Sequence, residues 1–284
     1  MMVKAFLCIA LLNLCFSVEL VSSNQTGGVG VGDGQFRCPA GLAAMNDSIL
    51  VVDMNNRRMQ RFTSDRSFEY SFKDIKDDDG NFSQMQSPSR VAFDNVHNVI
   101  YVSDPENDVI YVFDLQGQYQ RTFGGFGKSG VRFNNIGGLA VDAFGYLYIA
   151  DKGNHRILKL DSEAKLILEI PSKEGGLINP VDVDIDLATG KIVVLDAEGV
   201  KDYDEFGKFQ RLWAKVNQGK SLTLAKDKLV FVLTDTSMEG FDREGQCIFI
   251  DQPIKKMEDI LWDNEHLFVS DPNMQRIIRF DVKN

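Results

Sequence analysis

A ten-residue segment that recurs four times constrains the fold of this chain more than any other feature. Each copy begins with Asp, usually has Asn at its fourth position and Arg at its sixth, and ends on an aromatic residue or Leu. The copies are DMNNRRMQRF (53–62), DPENDVIYVF (104–113), DKGNHRILKL (151–160) and DPNMQRIIRF (271–280). A run of β-branched and aromatic residues precedes every copy, so the segment, here called the token, belongs to repeated β-structure.

Each repeat consists of four short strands, a to d, because a strand-like run and a hairpin flank the token on either side. No stretch shows convincing helical periodicity. The ends of strand b mark six repeats, which lie near Asp53, Asp104, Asp151, Asp196, Thr234 and Asp271. Their spacing falls from 51 residues (53 to 104) to 37 (234 to 271), near the roughly 40–45 residues of propeller blades. We predict an all-β, six-bladed β-propeller of four-stranded antiparallel blades; a β-sandwich stays open but would not require a token.

Two Gly-rich stretches indicate the type of propeller. They are VGVGDGQFRCPAGLA (29–43) and FGGFGKSGVRFNNIGGLAVD (123–142), and the third token contains Asn154-His155 followed by Ile and Leu. In these residues the chain resembles the NHL repeat family over roughly residues 25–284, most specifically in blades one, two, three and six. The resemblance implies a binding module that uses one propeller face. Some relatives are ubiquitin ligases, but no Cys/His zinc array precedes the propeller here, so that activity is not implied.

The N-terminus has the pattern of a secretory signal. Lys4 precedes the apolar run AFLCIALLNLCF (5–16), and small residues allow cleavage after Ser17 or, alternatively, after Ser23. The run is too short for a membrane span. We therefore predict a signal peptide at 1–17 and one secreted propeller domain at 18–284. Asn-x-Ser/Thr triplets predict N-glycosylation at three positions: Asn24, Asn46 and Asn81.

The last repeat stops after its strand c, so its strand d must come from elsewhere. The run VELVSS (18–23) is strand-like, and we predict that it pairs with residues 275–282. The chain has 41 acidic and 31 basic residues and a net charge of −10. Because no basic stripe offsets this charge, the sequence argues against nucleic-acid binding, and we expect an extracellular protein as the partner.

The token residues suggest a structural role rather than catalysis. The fifth token position holds Arg57, Asp108, His155 and Gln275 in turn, so no particular chemistry is expected of His155. The three histidines are predicted on opposite faces, too far apart for one zinc ion. We expect the token arginines to pair with the token acids and to bind backbone carbonyls. The residues assigned this role are Asp53, Arg58, Asp104, Asp151, Asn154, Arg156, Asp271 and Arg276.

The central channel is the expected pocket of a propeller. Aligning strand a of the blades places Arg90, Asp182 and Asp259 near one mouth, and Asp184 where blades one to three have Ala. These four residues are the candidate ligand-binding positions; no catalytic residue and no metal site are assigned. Two hypotheses remain: a non-catalytic binding module with a solvated channel, or a calcium-dependent, lactonase-like hydrolase with calcium as its cofactor.

Two cysteines, Cys38 and Cys247, lie beyond the predicted signal. A secreted protein would normally pair them. The blade assignment places them on opposite faces, however, and a disulfide requires Cα atoms within ~7 Å. We therefore predict two free thiols, with Cys247 buried as an apolar filler and Cys38 partly exposed.

Overall fold

The computed structural model describes residues 19–63, 65–76, 80–226, 229–251, 256–263 and 265–283. The predicted signal peptide at 1–17 lies outside these residues. The described residues form 26 β-strands and two 3₁₀ turns, Met54–Asn56 and Lys152–Asn154. No helix in these ranges is long and apolar enough to span a bilayer.

The strands assemble into six four-stranded antiparallel sheets, which confirms the predicted β-propeller. Blade one contains β2 (Pro39–Met45), β3 (Ser48–Asp53), β4 (Arg58–Thr63) and β5 (Phe68–Phe72). A hairpin of β6 (Asp74–Lys76) and β7 (Phe82–Gln84) follows. Blade two contains β8 (Val91–Asp94), β9 (Val99–Asp104), β10 (Val109–Asp114) and β11 (Tyr119–Gly124). Blade three contains β12 (Ile136–Val141), β13 (Leu147–Asp151), β14 (Arg156–Leu160) and β15 (Leu166–Ile170).

The remaining blades repeat the arrangement. Blade four contains β16 (Asp182–Ile185), β17 (Ile192–Asp196), β18 (Gly199–Tyr203) and β19 (Phe209–Lys215). Blade five contains β20 (Gly219–Leu224), β21 (Val230–Thr234), β22 (Met238–Phe241) and β23 (Cys247–Asp251). Blade six contains β24 (Ile260–Trp262), β25 (His266–Asp271), β26 (Arg276–Lys283) and, as its outer strand, β1 (Glu19–Gly27).

The two ends of the described chain close the ring of blades. β1 pairs antiparallel with β26, from Glu19 opposite Lys283 to Gly27 opposite Arg276. The predicted pairing is therefore confirmed over residues 19–22 and continues four residues further. Because this strand supplies the missing outer edge of blade six, all six blades have four strands.

The core lies between the blades rather than at the channel. Strands b and c of each blade are buried almost throughout, whereas outer strands such as β15 alternate between buried and exposed residues. Between blades one and two, for example, Leu50 and Met59 pack with Ile100 and Phe113. This packing explains why strand b is a continuous apolar run that ends on the token Asp.

Two faces of the propeller follow from this connectivity. The turn face carries the a–b and c–d turns, such as residues 95–98 and 204–208. The connector face carries the b–c turns and the d–a connectors, such as residues 28–38. Strand a runs from the connector face to the turn face along the channel.

Cys38 and Cys247 are not joined by a disulfide, as predicted. Cys38 is half-buried, also as predicted, but Cys247 is exposed, so its prediction as a buried filler was wrong. The reason is its position at the start of β23, the outer strand of blade five, where the blade edge faces solvent.

The central channel as candidate functional site

The strand register places six residues of strand a at each of two heights in the channel. The first ring, nearer the connector face, contains Gly41, Arg90, Gly138, Asp182, Ser221 and Asp259. The second ring lies two residues further along and contains Ala43, Ala92, Ala140, Asp184, Thr223 and Leu261. Because alternate residues of a strand point to the same side, both rings face the channel.

Arg90 extends from blade two across the first ring. Its Nη1 lies 3.7 Å from Asp259 Oδ1, and it donates hydrogen bonds to the carbonyls of Glu258 (3.4 Å) and Lys220 (3.3 Å) in the opposite blades. The Arg90 side chain is only 10% exposed. The guanidinium therefore fills the connector-face end of the channel.

The glycines of the first ring make room for these side chains. A Cβ at Gly138 would lie 1.6 Å from Asp182 Oδ1. A Cβ at Gly41 would lie 2.5 Å from the Ser89 carbonyl of blade two. Gly138 therefore makes room for the side chain of Asp182, and Gly41 allows the backbone of blade two to come close.

The channel acids accept hydrogen bonds from the inner strand of the next blade. In each case a carboxylate oxygen binds a backbone N–H that no b strand reaches. The pairs are Asp182–Leu222 (2.9 Å), Asp184–Leu224 (2.8 Å) and Asp259–Leu42 (2.7 Å). The acids thus connect neighbouring blades and satisfy polar groups that would otherwise be buried without partners.

Two hydroxyls that the sequence reasoning missed serve the same purpose. Ser221 Oγ accepts from the Ile260 N–H (3.3 Å) and donates to Asp259 (2.5 Å). Thr223 Oγ1 accepts from the Trp262 N–H (3.0 Å). Their register with the acids of blade four was the available signal, but blade five has no recognisable token from which to align its strand a.

Burial disfavours the ionised form of these carboxylates. It raises the pKa of Asp182 to about 7, although Arg90 opposes the shift and Asp259 adds to it. Burial likewise raises the pKa of Asp184 to about 6 against the hydrogen bonds from Leu224 and Ile185. It also raises the pKa of Asp259. Burial opposes the charge of Arg90, but the adjacent carboxylates outweigh it and raise the pKa of this side chain.

A cavity of about 220 Å³ continues along the channel from this cluster. Its walls run from the first ring through Ala43, Ala92 and Ala140 to residues near the turn face, such as Phe93 and Leu261. The structure thus brings together the four candidate positions named from the sequence, and all four line this cavity. Arg90, Asp182 and Asp259 are buried, whereas Asp184 is partly exposed. Within the described ranges, no group of three or more His, Cys, Asp or Glu is placed to hold a metal ion.

Exposed apolar residues lie on the turn face of blades two to four. They are Val96, Phe144, Leu187 and Phe206, exposed by 47, 76, 63 and 76%. Asp94, Asp142 and Asp204 accept the backbone N–H two residues ahead, at Val96 (2.8 Å), Phe144 (2.9 Å) and Phe206 (3.1 Å). These Asx turns hold the apolar side chains outward.

The turns also contact one another. A Cβ at Gly145 in blade three would lie 2.6 Å from the imidazole of His97 in blade two. A Cβ at Gly190 would lie 3.4 Å from Glu205, so the two turns of blade four are adjacent as well. The a–b turns of blades two and three therefore adjoin, as do the two turns of blade four.

The token arginines bind the token acids in the structure. Arg58, Arg156 and Arg276 each place Nε 2.8–2.9 Å from the acid five residues earlier. Arg156 also donates to the carbonyls of Gly130 (3.2 Å) and Arg132 (2.7 Å) in the preceding connector. Asn154 Nδ2 donates to Asp151 and to the Gly127 carbonyl, both at 2.8 Å.

In the second token Val109 replaces the arginine, and the token acid Asp104 has other partners. Asp104 Oδ2 accepts hydrogen bonds from the Gln86 N–H at 2.8 Å and from the hydroxyl of Tyr111 at 3.3 Å. The token acids thus hold connector to turn with or without an arginine.

The fifth token position has a role that the sequence reasoning did not recognise. His155 Nδ1 accepts a hydrogen bond from the Asn179 N–H (2.9 Å) in the connector to the next blade. Asp108 accepts from Asn135 N–H (2.6 Å) and Gln275 accepts from Cys38 N–H (2.5 Å) in the same way. The expectation that no chemistry is demanded there was wrong, because three of the four residues are hydrogen-bond acceptors that join successive blades.

Comparisons with known proteins agree with this architecture. No protein-family model matches the chain. It is 31% identical to Protein brain tumor of Drosophila melanogaster over 152 residues, which is 52% of this chain and 14% of that protein. It is 30% identical to NHL repeat-containing protein 2 of Gallus gallus over 126 residues, 41% of this chain and 16% of that protein. The matched stretches thus span about one-sixth of these relatives' length or less.

Solved structures show the same fold at low identity. The gluconolactonase XC5397 of Xanthomonas campestris has a TM-score of 0.67 and 15% identity, with 94% of this chain and 90% of that chain covered. The virginiamycin B lyase of Staphylococcus aureus has a TM-score of 0.64 and 9% identity, with 93 and 99% covered. The fold defines a six-bladed β-propeller. Its repeats and its curated relatives support an NHL-repeat propeller.

Proposed function

We propose that the chain is a secreted, N-glycosylated binding module whose turn face binds an extracellular protein. The observation that carries this proposal is the exposed apolar surface formed by Val96, Phe144, Leu187 and Phe206 on three consecutive blades. Contiguous apolar surface on a folded domain marks an interaction site. Aromatic side chains held in one rigid orientation are the residues that most often dominate binding energy.

The arrangement of glycosylation sequons supports the same face. Asn46 and Asn81 are exposed in blade one and in the β6–β7 hairpin. No Asn-x-Ser/Thr triplet follows residue 83. Asn46 lies in the a–b turn of blade one, and no sequon lies in blades two to four, so no glycan would be attached to the turn face there.

The closing strand supports cleavage of the signal after Ser17. Residues Glu19 to Ser22 pair with Phe280 to Lys283 in blade six. Cleavage after Ser23 would remove this half of β1 and leave only the pairs from Asn24 onward. We expect the mature protein to begin at Val18, with sugar at one or more sequons. Expression of the full chain in a secretory cell, followed by intact-mass analysis before and after glycosidase treatment, tests this expectation.

A double variant, Phe144→Asp with Phe206→Asp, tests the binding face. Both side chains are exposed, so the variant should fold normally. The matched control is Phe126→Asp, whose residue is 74% exposed on the connector face. The three proteins are crosslinked in extracellular fluid of the producing organism, and the captured proteins are quantified by mass spectrometry.

We expect one partner to be captured by wild type and control and lost with the double variant. Its affinity for the double variant should fall about 30-fold or more, which corresponds to ~2 kcal/mol. Equal capture by all three proteins, or equal loss in the control, would contradict the turn face as the binding site.

A calcium-dependent, lactonase-like hydrolase is the second candidate function. Asp184 favours it, because a carboxylate with a raised pKa inside a cavity is a common feature of functional sites. Calorimetric titration of calcium into wild type and Asp184→Ala, with a lactone hydrolysis assay, separates the two functions. Calcium binding and hydrolysis that both disappear in the variant would support the hydrolase.

A further inference from the structure

One buried guanidinium in blade one has a nitrogen without a partner. Arg58 Nε pairs with Asp53 Oδ2 at 2.9 Å. Its Nη2 donates to the carbonyls of Gly32 (2.7 Å) and Gln35 (2.8 Å). Nothing within the described residues accepts a hydrogen bond from Nη1. The side chain as a whole is only 9% exposed, so the guanidinium is held almost entirely within the protein.

Equivalent arginines in two other blades use the same nitrogen. Arg156 Nη1 donates to Glu169 Oε2 at 3.0 Å, and Arg276 Nη1 donates to Gln25 Oε1. Strand pairing gives Glu169, Gln25 and Ser71 the same position in strand d, opposite Leu158, Ile278 and Gln60. Blade one therefore has a short Ser71 where the other blades have a long acceptor.

A cavity of about 350 Å³ occupies the space beside Ser71. Arg58, Lys73 and Asn56 contribute polar groups to its lining, and Val31 contributes an apolar wall. Lys73 is exposed and makes no ion pair with any described residue. Asp74 also lines the cavity, but its carboxylate has no ion-pair partner there either. Arg58, which is paired with Asp53, and Lys73 therefore lie together with Asp74 beside a space that blade three fills with a carboxylate.

We propose that this cavity binds the carboxylate of an organic acid or of an acidic peptide side chain. The Arg58 guanidinium is already oriented by Asp53 and the connector carbonyls, as Arg156 is oriented in blade three. A ligand carboxylate at the position of the Glu169 carboxylate would form a charge-assisted hydrogen bond with Nη1. Lys73 would add a second positive charge. The cavity lies on the connector face, so this proposal does not depend on the turn face.

Three probes test the chemistry of the site on the whole protein. They are N-acetyl-glutamate amide, its neutral isostere N-acetyl-glutamine amide, and propionate. Binding of each probe is followed by NMR through the backbone amide signals around Arg58 and Ser71. We expect saturable binding of the glutamate probe in the millimolar range and binding of the glutamine probe at least about tenfold weaker. Equal affinity of propionate would indicate a small organic acid as the ligand, and a clear preference for the glutamate probe would indicate a peptide.

Ser71→Glu tests the location without removing a buried charge. The new side chain should take the position that Glu169 has in blade three, weaken the glutamate probe at least about tenfold and raise the thermal midpoint by about 1–2 °C. Ser71→Ala is the control and should bind the probe as wild type does. Wild type that fails to bind either carboxylate probe at about 50 mM, or Ser71→Glu that binds like wild type, would overturn the proposal.

Discussion

In blade three the buried carboxylate at the end of strand b pairs with Arg156, whereas in blade four it pairs with Lys201. The two distances, to Asp151 and to Asp196, are both 2.8 Å. Like Arg156, Lys201 also reaches the preceding connector, where its Nζ donates to the Gly176 carbonyl at 3.0 Å. What repeats between the blades is therefore a buried cation that joins an acid to a connector, rather than a particular sequence.

The same two blades differ at the channel. Blade three presents Gly138 and Ala140, and blade four presents Asp182 and Asp184 at the same two heights. The acids of blade four bind the inner strand of blade five. The small residues of blade three leave space for the acids instead of forming such bonds. The comparison teaches that a departure from the repeat in one blade is matched by a complementary residue in its neighbour.

Removing the token cation gives the largest expected effect on stability. Arg156→Met and Lys201→Met each leave a carboxylate that is at most 2% exposed without its ion-pair partner. We expect each change to lower the free energy of unfolding by about 3–5 kcal/mol, measured by chemical denaturation. A loss below about 1 kcal/mol in Lys201→Met alone would show that the two blades are not equivalent.

Arg276→Met in blade six is the matched control for these variants. Its side chain is 30% exposed, compared with 4% for Arg156. Solvent therefore screens its ion pair with Asp271, and we expect a smaller loss of about 1 kcal/mol.

The comparison also explains how far the sequence could be interpreted. The six blades, the closing strand and the tokens of blades one, two, three and six follow from a pattern that local turn and strand chemistry imposes. Lys201 escaped because blade four has Gly199 and Lys201 where the token has Asn and Arg, although Lys201 follows Asp196 at the same five-residue spacing as Arg156 follows Asp151. The turn between β17 and β18 is also shorter, so Lys201 lies opposite Val194 rather than opposite the acid. The filling of the channel escaped because Arg90 reaches the carbonyls of Glu258 and Lys220 in blades six and five, contacts between distant parts of the chain that no local pattern records.

Asp184→Ala gives blade four the residue that blade three has, and its effect depends on pH. Burial raises the pKa of Asp184 to about 6 in the folded state, above its usual value of 3.8. The folded protein then binds the proton more tightly than the unfolded chain. The contribution of Asp184 to stability is therefore present below about pH 4 and is lost as pH rises towards 6.

We expect wild type to lose stability relative to Asp184→Ala between pH 4 and 7, by at most about 3 kcal/mol. Denaturation of both proteins across this range measures the difference, in which the titration of groups distant from Asp184 cancels. A difference that stays constant with pH, or that moves in the opposite direction, would show that Asp184 is ionised throughout.

Gly138→Ala tests whether blade three needs a residue without a side chain at this position to accommodate Asp182 of blade four. The new Cβ would lie 1.6 Å from Asp182 Oδ1 and 2.9 Å from its Cα. We expect a loss of about 1–3 kcal/mol from overpacking. Gly138→Ala combined with Asp182→Gly should cost less than the sum of the two single changes, because the second change removes the clash. Additive losses would mean that the two positions are independent.

His155→Ala has the smallest expected effect. It tests whether His155 only completes its turn or also joins two blades through its side chain. The change removes the acceptor of the Asn179 N–H, a bond that joins blade three to blade four. We expect a loss of about 1 kcal/mol and faster amide exchange at Asn179. Arg57→Ala is the control, because Arg57 has the same left-handed backbone conformation (φ 54° against 55°) in an exposed turn. The Arg57 side chain accepts no hydrogen bond from the next blade. Arg57→Ala should therefore lower the free energy of unfolding only by the cost of placing Ala in a left-handed backbone conformation. Equal losses in both variants would mean that the bond to Asn179 contributes nothing.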